Sequence, residues 1–514
     1  MANYPSGPTG PTRQSSANRW LPPIEEGRRS YESASQPGGV GQSAGRPRGP
    51  AERGREMGSK MYGLFQKAAT ADGADKSGLT ALTYPVMANF AADSAMAVAL
   101  ANTLFFAAAS GESKSKVALY LLITIAPFAV IAPLIGPALD RLQHGRRVAL
   151  AMSFAGRTAL AVVLIANYDA ATGSFPPWVL YPCALGMMVL SKSFSVLRSA
   201  MTPRVLPPTI DLVRVNSRLT MFGLLGGTIA GGAVAAGVEY VFGLFHLPGA
   251  LYVTVAVTVV GAGLSMRIPR WVEVTEGEVP TTLSYHGTDE HFRRPSPEVT
   301  SKTRQPLGRN IITSLWGNCT IKAMVGFLFL YPAFVAKSHD ASGWEQLRIL
   351  GLIGAAAGIG NFVGNFTAAR LQLGNPSRLV VRAATAVTVM ALATAVFGNL
   401  YVAALATLVT SGASAIAKAS LDASLQDDLP EQSRASAFGR SESLLQLAWV
   451  AGGAMGVLIY TDLWAGFTGI TAVLILGLAQ TLVSEGGDSL IPGLGGNRPV
   501  FAEQENRSTA SAVR

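Results

Sequence analysis

Long apolar stretches alternate with short polar connections from residue 79 to residue 485, whereas residues 1–78 contain almost no apolar run. A membrane-spanning helix needs about 20 mostly apolar residues. Twelve stretches reach that length, so the pattern predicts a polytopic membrane protein of the all-α class. The predicted spans are 83–108, 117–138, 148–167, 177–199, 218–243, 248–267, 311–335, 347–368, 378–397, 400–423, 441–460 and 463–484.

Three polar segments lie outside these spans. Residues 1–78 are rich in Gly, Pro, Ser and Arg and cannot bury enough apolar surface to offset chain entropy, so we expect a disordered tail. Residues 268–310 are expected to form an exposed linker, and residues 485–514 a second polar tail. The membrane part is thereby divided into helix bundles over 79–267 and 311–484.

The composition excludes several classes of protein. Charged residues make up 14% of the chain, about half the roughly 25% of an ordinary soluble domain. A soluble enzyme and a nucleic-acid-binding protein are therefore disfavoured, although the net charge is +10. Cys183 and Cys319 lie inside apolar runs, and the sequence contains no CxxC motif or Cys/His metal spacing. We expect no metal and no cofactor.

The basic residues of the connections predict the orientation. With the N-terminus inside, the inner connections carry 21 Lys and Arg residues and the outer connections carry 4. Such residues accumulate on the cytoplasmic side of membrane proteins. Both termini are therefore expected in the cytoplasm. The high Ala, Gly and Arg content favours the plasma (inner) membrane of a GC-rich bacterium.

The two bundles are related by an internal repeat. Asn89-x-x-x-Asp93 in the first span matches Asn318-x-x-x-Lys322 in the seventh at a shift of 229 residues. The loops after the second and eighth spans match at shifts of 228 and 229 residues. We therefore predict two six-helix pseudo-repeat bundles with a substrate site between them, near the bilayer midplane.

The connection between the second and third spans carries the first of three family motifs. Its sequence, GPALDRLQHGRR, resembles the G-x-x-x-D-R-x-G-R-R loop of the major facilitator superfamily, with two extra residues before the second glycine. In that family the acid caps neighbouring helix ends and helps to lock the outward-facing state. The resemblance implies a gate loop made of Gly136, Asp140, Arg141, Gly145, Arg146 and Arg147.

The fifth span carries a glycine motif at Gly223, Gly227, Gly231 and Gly232. It is similar to the G-x-x-x-G-P-x-x-G-G motif of proton-coupled exporters in the same superfamily, with Thr228 in place of the proline. The resemblance implies a helix sealed against leak, which favours export. Glycines also permit plain close packing of helices, and both interpretations stay open.

The segment 198–217 resembles the connection between the fourth and fifth helices of the drug- and siderophore-exporter branch. The resemblance covers about residues 79–485. It implies a secondary active transporter, a monomer in the lipid bilayer, that works by alternating access and exports a small molecule against an inward flow of protons. The alternatives are a non-transporting scaffold or sensor that retains the fold, an importer, and a lipid transporter.

Charged side chains inside the bilayer cost at least about 2.5–3.5 kcal/mol each, so each needs a reason. Asp93 and Lys322 lie at similar depth in spans that line the cavity in this family. Our hypothesis is that they face each other, with Asp93 exchanging the proton and Lys322 binding polar or anionic substrate groups. Alternatively, Asp93 is structural and pairs with Asn89 or Arg157. Asn89 and Asn318 are candidates for the cavity wall or for interhelical hydrogen bonds.

The remaining polar residues of the spans have plainer interpretations. Lys192 and Lys418 match at a shift of 226 residues and lie near the inner ends, where their side chains can reach the membrane surface. Glu442 is interpreted as part of a gate pair or of a pair at the end of a helix, and Trp449 as a packing or interface residue. The sequence contains no GxxxxGK[ST] motif for direct use of ATP, no HExxH motif and no Ser/His/Asp spacing. We therefore expect no enzymatic activity.

Overall fold

The apolar spans fold into long helices that end close to the predicted boundaries. The computed structural model describes residues 66–102, 145–273, 279–283, 305–338, 343–371, 374–492, 494 and 498–500, together with Ser59 and Gly63. The long helices of these residues are α1 (Leu79–Asn102), α2 (Arg146–Ala166), α3 (Pro177–Met201), α4 (Leu212–Gly243), α5 (Gly249–Met266), α6 (Arg309–Ser338), α7 (Gly343–Ala368), α8 (Pro376–Phe397), α9 (Leu400–Asp428), α10 (Glu431–Leu458) and α11 (Leu463–Glu485). The predicted span 117–138 lies outside the described residues.

Nine of the helices in the described part of the chain are long and apolar enough to cross a membrane. The other two, α1 and α10, contain 24 and 28 residues and carry more polar side chains. Large apolar side chains cover the outside of the bundle; Val396 and Leu476 are 71% and 67% exposed. Such an exterior suits lipid rather than water. The predicted all-α membrane class is confirmed.

Two helices begin well before their predicted spans. Helix α4 begins at Leu212, where the Asp211 side chain accepts a hydrogen bond from the Arg214 N–H and caps the first turn. Helix α10 begins at Glu431, directly after Pro430. Apolar content marks the part of a helix inside the hydrocarbon, whereas backbone hydrogen bonding continues into the polar turns that precede it.

Glycines bring α6 and α10 into close contact. A Cβ atom on Gly326 would collide with the backbone carbonyl of Trp449, and one on Gly452 would collide with that of Ala323. Only glycine permits this approach. The crossing places the turn of α6 that carries Lys322 beside the segment of α10 around Trp449 and Gly452.

The predicted glycine motif of α4 packs against α1. A Cβ atom on Gly227 would lie 2.6 Å from the Met87 carbonyl oxygen, and one on Gly231 would lie 2.7 Å from the Ala91 Cβ. This segment, Gly223–Gly231, is a π-helix rather than an α-helix. Wider π-helical turns are rare and are frequent at functional sites.

The linker is less exposed than predicted. Two short parallel strands, β1 (Thr281–Thr282) and β2 (Gln305–Pro306), join its two described parts. Thr281 is fully buried, and its N–H donates a hydrogen bond to Ser436 Oγ of α10 at 3.2 Å. The expectation of an exposed linker is wrong for these residues, because their polar groups bond to the end of the helix bundle. We call this end, where α5 ends and α6 begins, the linker side.

Arg498 of the C-terminal segment ties the linker to the bundle. It is 2% exposed and donates hydrogen bonds to the carbonyl oxygens of Leu283 at 2.6 Å and Leu307 at 2.7 Å. The Arg309 N–H, at the start of α6, donates to the Pro499 carbonyl at 2.8 Å. The C-terminal segment therefore holds both described parts of the linker and caps α6.

Candidate substrate site between the two halves

Asp93 of α1 lies in a polar network that joins three helices of the N-terminal half, which comprises α1–α5; helices α6–α11 form the C-terminal half. The Asp93 carboxylate accepts hydrogen bonds from Arg157 Nη2 of α2 at 2.5 Å and from Ser191 Oγ of α3 at 2.8 Å. Asn89 Oδ1 accepts a hydrogen bond from Arg157 Nη1 at 2.9 Å. Arg157 is fully buried, so Asp93 supplies the countercharge of a cation removed from water.

The structure does not bring Asp93 and Lys322 into contact. The partner of Asp93 is Arg157, the static pair that the sequence left open as an alternative. The electrostatic partners of Lys322 are Glu442, Lys192 and Lys418. The acid and the base that the repeat aligns therefore have different direct neighbours, although Lys192 interacts electrostatically with both Asp93 and Glu442.

Asn318, the repeat counterpart of Asn89, joins α6 to α9. Its buried Nδ2 donates hydrogen bonds to the carbonyl oxygens of Ser314 and Ala417, both at 2.8 Å. Both asparagines thus make hydrogen bonds between helices within their own half.

Six charged side chains form a cluster where the two halves meet. This charged cluster consists of Lys192 and Arg198 of α3, Lys322 of α6, Lys418 and Asp422 of α9, and Glu442 of α10. Glu442 interacts electrostatically with the basic groups of α3 and α6, and its Oε2 lies 3.9 Å from Lys418 Nζ. One buried carboxylate is therefore shared by four basic groups from both halves.

The second acid of the cluster, Asp422, joins the halves directly. It is 1% exposed, forms an ion pair with Lys418, and accepts a hydrogen bond from Asn216 Nδ2 of α4 at 2.7 Å. Gln446 Nε2 donates to Glu442 Oε1 at 2.6 Å. Each buried carboxylate therefore has a lysine within 4 Å and a neutral hydrogen-bond donor, which offsets the cost of burying its charge.

Trp449 of α10 lies between the charged cluster and an apolar region. The Nζ of Lys192, from the other half, lies over the Trp449 ring at 4.4 Å from its centroid. The ring of Trp449 also packs near Phe329 of α6, with 5.3 Å between the ring centroids. The cation–π contact anchors Lys192 at the boundary of the two halves.

An apolar cavity of about 280 Å³ lies beside this tryptophan, between α6, α7 and α9. Its size is close to the lower end for small-molecule pockets. Most of its wall is aliphatic or aromatic, with two hydroxyl groups on α9. The wall includes Val325, Phe329, Ala333, Ile353, Thr407 and Ser411.

The two halves are in contact toward the linker side. The Leu212 N–H of α4 donates to Gln426 Oε1 of α9 at 2.8 Å. Val213 of α4 packs with Ala419 and Ala423 of α9. A Cβ atom on Gly439 of α10 would lie 3.6 Å from the Ala200 Cβ of α3. Together with the Asn216–Asp422 bond, these contacts close the linker side.

The described part of the predicted gate loop lies at the start of α2. Gly145 has a φ of +97°, a conformation that favours glycine, and α2 begins at the next residue, Arg146, which is buried. Arg147 Nη1 donates to the carbonyl oxygens of Met266 and Ile268 at 3.5 and 3.4 Å. Its positive charge thus lies at the C-terminal end of α5, where a helix favours cations. The predicted gate residues Gly136, Asp140 and Arg141 lie outside the described residues.

Sequence reasoning gave the most informative residues of the site plainer roles. Lys192 and Lys418 were expected to reach the membrane surface, Glu442 to form a gate pair or a pair at a helix end, and Trp449 to serve packing or the membrane interface. One signal was available, because the two lysines match in the internal repeat. The contacts of Glu442 and Trp449 depend on the α6–α10 crossing, which no motif in the sequence marks.

A bundle of membrane-spanning helices with a charged cluster between its halves defines a membrane transport protein. A family model described as Major Facilitator Superfamily matches residues 86–453. The chain therefore belongs to the major facilitator superfamily, whose members are transporters rather than enzymes. It is a multi-pass membrane protein, and the drug- and siderophore-exporter branch stays a prediction.

Relatives cover almost the whole chain. An uncharacterised protein of Mycobacterium leprae (strain TN) is 71% identical over 99% of this chain and 90% of its own length. An uncharacterised protein of Mycobacterium tuberculosis (strain H37Rv) is 72% identical over 100% of this chain and 94% of its own length. Both of these relatives are mycobacterial proteins.

Solved structures support the fold. The human organic anion transporter MFSD10 has 16% identity and a TM-score of 0.52, covering 79% of this chain and 98% of its own. A bacterial homologue of the iron transporter ferroportin in the outward-facing state gives the same four values. The transporter FucP in the outward conformation has 12% identity and a TM-score of 0.50, covering 78% of this chain and 98% of its own. At such identities the likeness concerns the fold alone.

Proposed function

We propose that the chain is a secondary active transporter that moves a small molecule across the plasma membrane by alternating access and couples this movement to protons. The charged cluster carries the proposal, because its members come from both halves. A ligand bound there contacts both halves, so its binding free energy depends on how the halves are arranged.

In this proposal the linker side is the cytoplasmic side, as the distribution of basic residues predicts. The contacts between the halves that involve described residues lie toward that side, which supports an outward-facing conformation. Two similar structures, those of the ferroportin homologue and FucP, are in this outward-facing state. Access from the cytoplasm requires α3 and α4 to separate from α9 and α10.

Among the described residues, this opening breaks the Asn216–Asp422 bond, the bond from the Leu212 N–H to Gln426, and the contact of Lys192 with Trp449. It also weakens the electrostatic interactions of Lys192 and Arg198 with Glu442. A hydrogen bond contributes about 0.5–1.5 kcal/mol net, and one to a charged group about 1.5–3 kcal/mol. The differential binding of a ligand to two conformations reaches several kcal/mol, enough to shift this equilibrium.

Glu442 is a better candidate than Asp93 for the carboxylate that binds and releases the coupled proton. Asp93 and its countercharge Arg157 belong to the same half, so their contact need not change when the halves move. The basic partners of Glu442 come from both halves. Rearrangement of the halves therefore changes the charges around Glu442, and with them the free energy of its protonation.

The direction of transport depends on the charge of the substrate. The sequence motifs favour export, in which proton entry drives substrate exit and the two compete for one site. With an anionic substrate, proton and substrate no longer compete, because protonation of Glu442 frees the basic groups to bind the anion. Proton and substrate then move in the same direction. The excess of basic groups in the charged cluster favours this second candidate, uptake by co-transport.

Purified protein in proteoliposomes that enclose a pH-sensitive dye tests the proposal. Wild type should change the internal pH when one member of a panel of organic cations, organic anions and siderophore-like compounds is added. The sign of the change distinguishes exchange from co-transport. Glu442→Gln should abolish proton movement, whereas Glu345→Gln, at an exposed acid near the start of α7, should not. Wild-type liposomes with no response to any compound would contradict transport and favour a scaffold.

A further inference from the structure

Basic groups outnumber acidic groups where the two halves meet. Among the described residues, the charged cluster and the adjoining Asp93–Arg157 pair together contain five basic and three acidic side chains. Asp93 forms an ion pair with Arg157. Asp422 forms an ion pair with Lys418 and accepts a hydrogen bond from Asn216. Two positive charges remain in excess.

Lys322 carries part of this excess positive charge. It lies 13 residues after the start of α6, about 20 Å along the helix at 1.5 Å per residue. Within the described part of the chain its side chain makes no hydrogen bond and no ion pair within 4 Å. It interacts with Glu442 only at longer range, and two neighbouring lysines repel it. An ammonium group at this depth favours a bound counter-anion.

The helix faces that carry Lys322 and Lys418 continue into the apolar cavity. On α6, Phe329 and Ala333 follow Lys322 by 7 and 11 residues, which are two and three turns of the helix. On α9, Ser411 precedes Lys418 by 7 residues and lines the same cavity. The cationic groups therefore lie at the linker-side end of an apolar chamber.

We infer that the substrate is an amphipathic organic anion, whose negative group binds at Lys322 and whose apolar body occupies the cavity between α6, α7 and α9. The inference rests on the proposed function, since it names the substrate class of that site. Trp449 contacts Lys192 of the charged cluster and Phe329 of the cavity wall, and so links the two regions. A cavity of about 280 Å³ accommodates a body of modest size, such as a bicyclic aromatic ring.

The same geometry makes the binding of anions depend on pH. Glu442 faces the basic groups of Lys322, Lys418, Lys192 and Arg198 and the second acid of the cluster, Asp422. Its negative charge competes with the bound anion for the basic groups. Protonation of Glu442 removes this competition. A ligand that stays ionised over the whole range should therefore bind more tightly as the pH falls.

Equilibrium dialysis of the protein in lipid nanodiscs against three naphthalene compounds tests the inference without requiring transport. The compounds share one apolar body: 1-naphthalenesulfonate is anionic, 1-naphthalenemethanol neutral and 1-naphthylmethylammonium cationic. After subtraction of binding to empty nanodiscs, the sulfonate should bind at least about tenfold more tightly than the other two. Its affinity should rise as the pH falls, and Glu442→Gln should remove that dependence.

Substitutions locate the two parts of the site. Lys322→Met should weaken sulfonate binding by about tenfold or more, whereas Lys322→Arg should retain most of it. The control Lys76→Met, at an exposed lysine outside the site, should change nothing. Phe329→Ala should weaken binding of the sulfonate by reducing the apolar wall.

Equal or tighter binding of the cation or the alcohol would overturn the inference, as would unchanged sulfonate binding in Lys322→Met. If Lys322→Met does not fold, the comparison of the three compounds on wild type decides. Sulfonate binding without any proton-coupled flux would contradict the proposed function and leave the ligand class standing. Flux of a cation without sulfonate binding would support the proposed function and overturn the inference that the substrate is an anion.

Discussion

Asn216 and Asp422 join the two halves of the protein through a hydrogen bond of 2.7 Å between Asn216 Nδ2 and Asp422 Oδ2. The carboxylate is almost fully buried and is paired with Lys418 of its own helix. The bond between the halves is therefore charge-assisted, which makes it stronger than a neutral one. It is the most specific of the polar contacts that close the linker side.

Asn216→Ala should favour opening of the linker side by about 1.5–3 kcal/mol, because it removes a hydrogen bond to a charged group. Disulfide formation between Ala200→Cys and Gly439→Cys reports closure, since a Cβ atom on Gly439 would lie 3.6 Å from the Ala200 Cβ, within the range that a disulfide spans. In a background of Cys183→Ala and Cys319→Ala, cross-linking should slow when Asn216 is replaced. The control Asn167→Ala removes a half-buried asparagine whose side chain bonds to the last turn of α2 in its own half, and should leave the rate unchanged. Equal rates in all variants would show that the bond does not hold the halves together.

Asp93→Asn should lower stability by about 2–3 kcal/mol. The substitution leaves the fully buried Arg157 without its countercharge, and loss of one partner of a buried pair costs about 3–5 kcal/mol, reduced here because the Asp93 side chain is 45% exposed. The double variant Asp93→Leu with Arg157→Met should recover much of the loss, as measured by thermal unfolding in detergent. It should also retain transport, a result that a coupling role for Asp93 would forbid.

Gly227→Ala should destabilise the protein by about 1–3 kcal/mol, the usual cost of overpacking. Its new Cβ would lie 2.6 Å from the Met87 carbonyl oxygen of α1, and a backbone atom cannot move aside as a side chain can. Gly237→Ala, in the same helix, meets no atom within 4 Å and should be neutral or stabilising by up to about 1 kcal/mol. Similar melting temperatures for both variants would contradict the close packing of α1 and α4.

Arg498→Ala should destabilise the linker side by about 2–3 kcal/mol, because it leaves the buried carbonyl oxygens of Leu283 and Leu307 without a donor. Limited proteolysis should then cleave the linker faster. The exposed Arg378, 4.0 Å from Glu485, provides the comparison; Arg378→Ala should cost less than about 1 kcal/mol. Unchanged proteolysis in Arg498→Ala would mean that the C-terminal segment does not hold the linker.

Hydrophobicity alone was enough to predict the membrane class, and it placed most helix ends within a few residues. It failed at the starts of α4 and α10, because Leu212 and Glu431 begin helical turns that lie among polar residues. It also failed at Thr281 and Arg498, whose polar groups are buried by bonds to distant parts of the chain. Apolar content measures contact with lipid and does not measure such bonds.

The internal repeat identified residues of the site but not their partners. It aligned Asp93 with Lys322. In the structure Asp93 forms an ion pair with Arg157, and Lys322 interacts electrostatically with Glu442. Pairing depends on the side-to-side packing of helices, which in α6 and α10 is set by the glycine contacts at Gly326 and Gly452. Sequence spacing along one helix carries no information about that packing.

In the proposed mechanism, substrate crosses the membrane by alternating closure of the two halves around the charged cluster. Proton flux in proteoliposomes that carry the Ala200→Cys and Gly439→Cys pair tests this mechanism most directly, with the panel compound that wild type moves fastest. We expect oxidation of the pair, which fixes the linker side closed, to stop the flux and a reducing agent to restore it. Flux that continues undiminished through the cross-linked protein would contradict alternating closure.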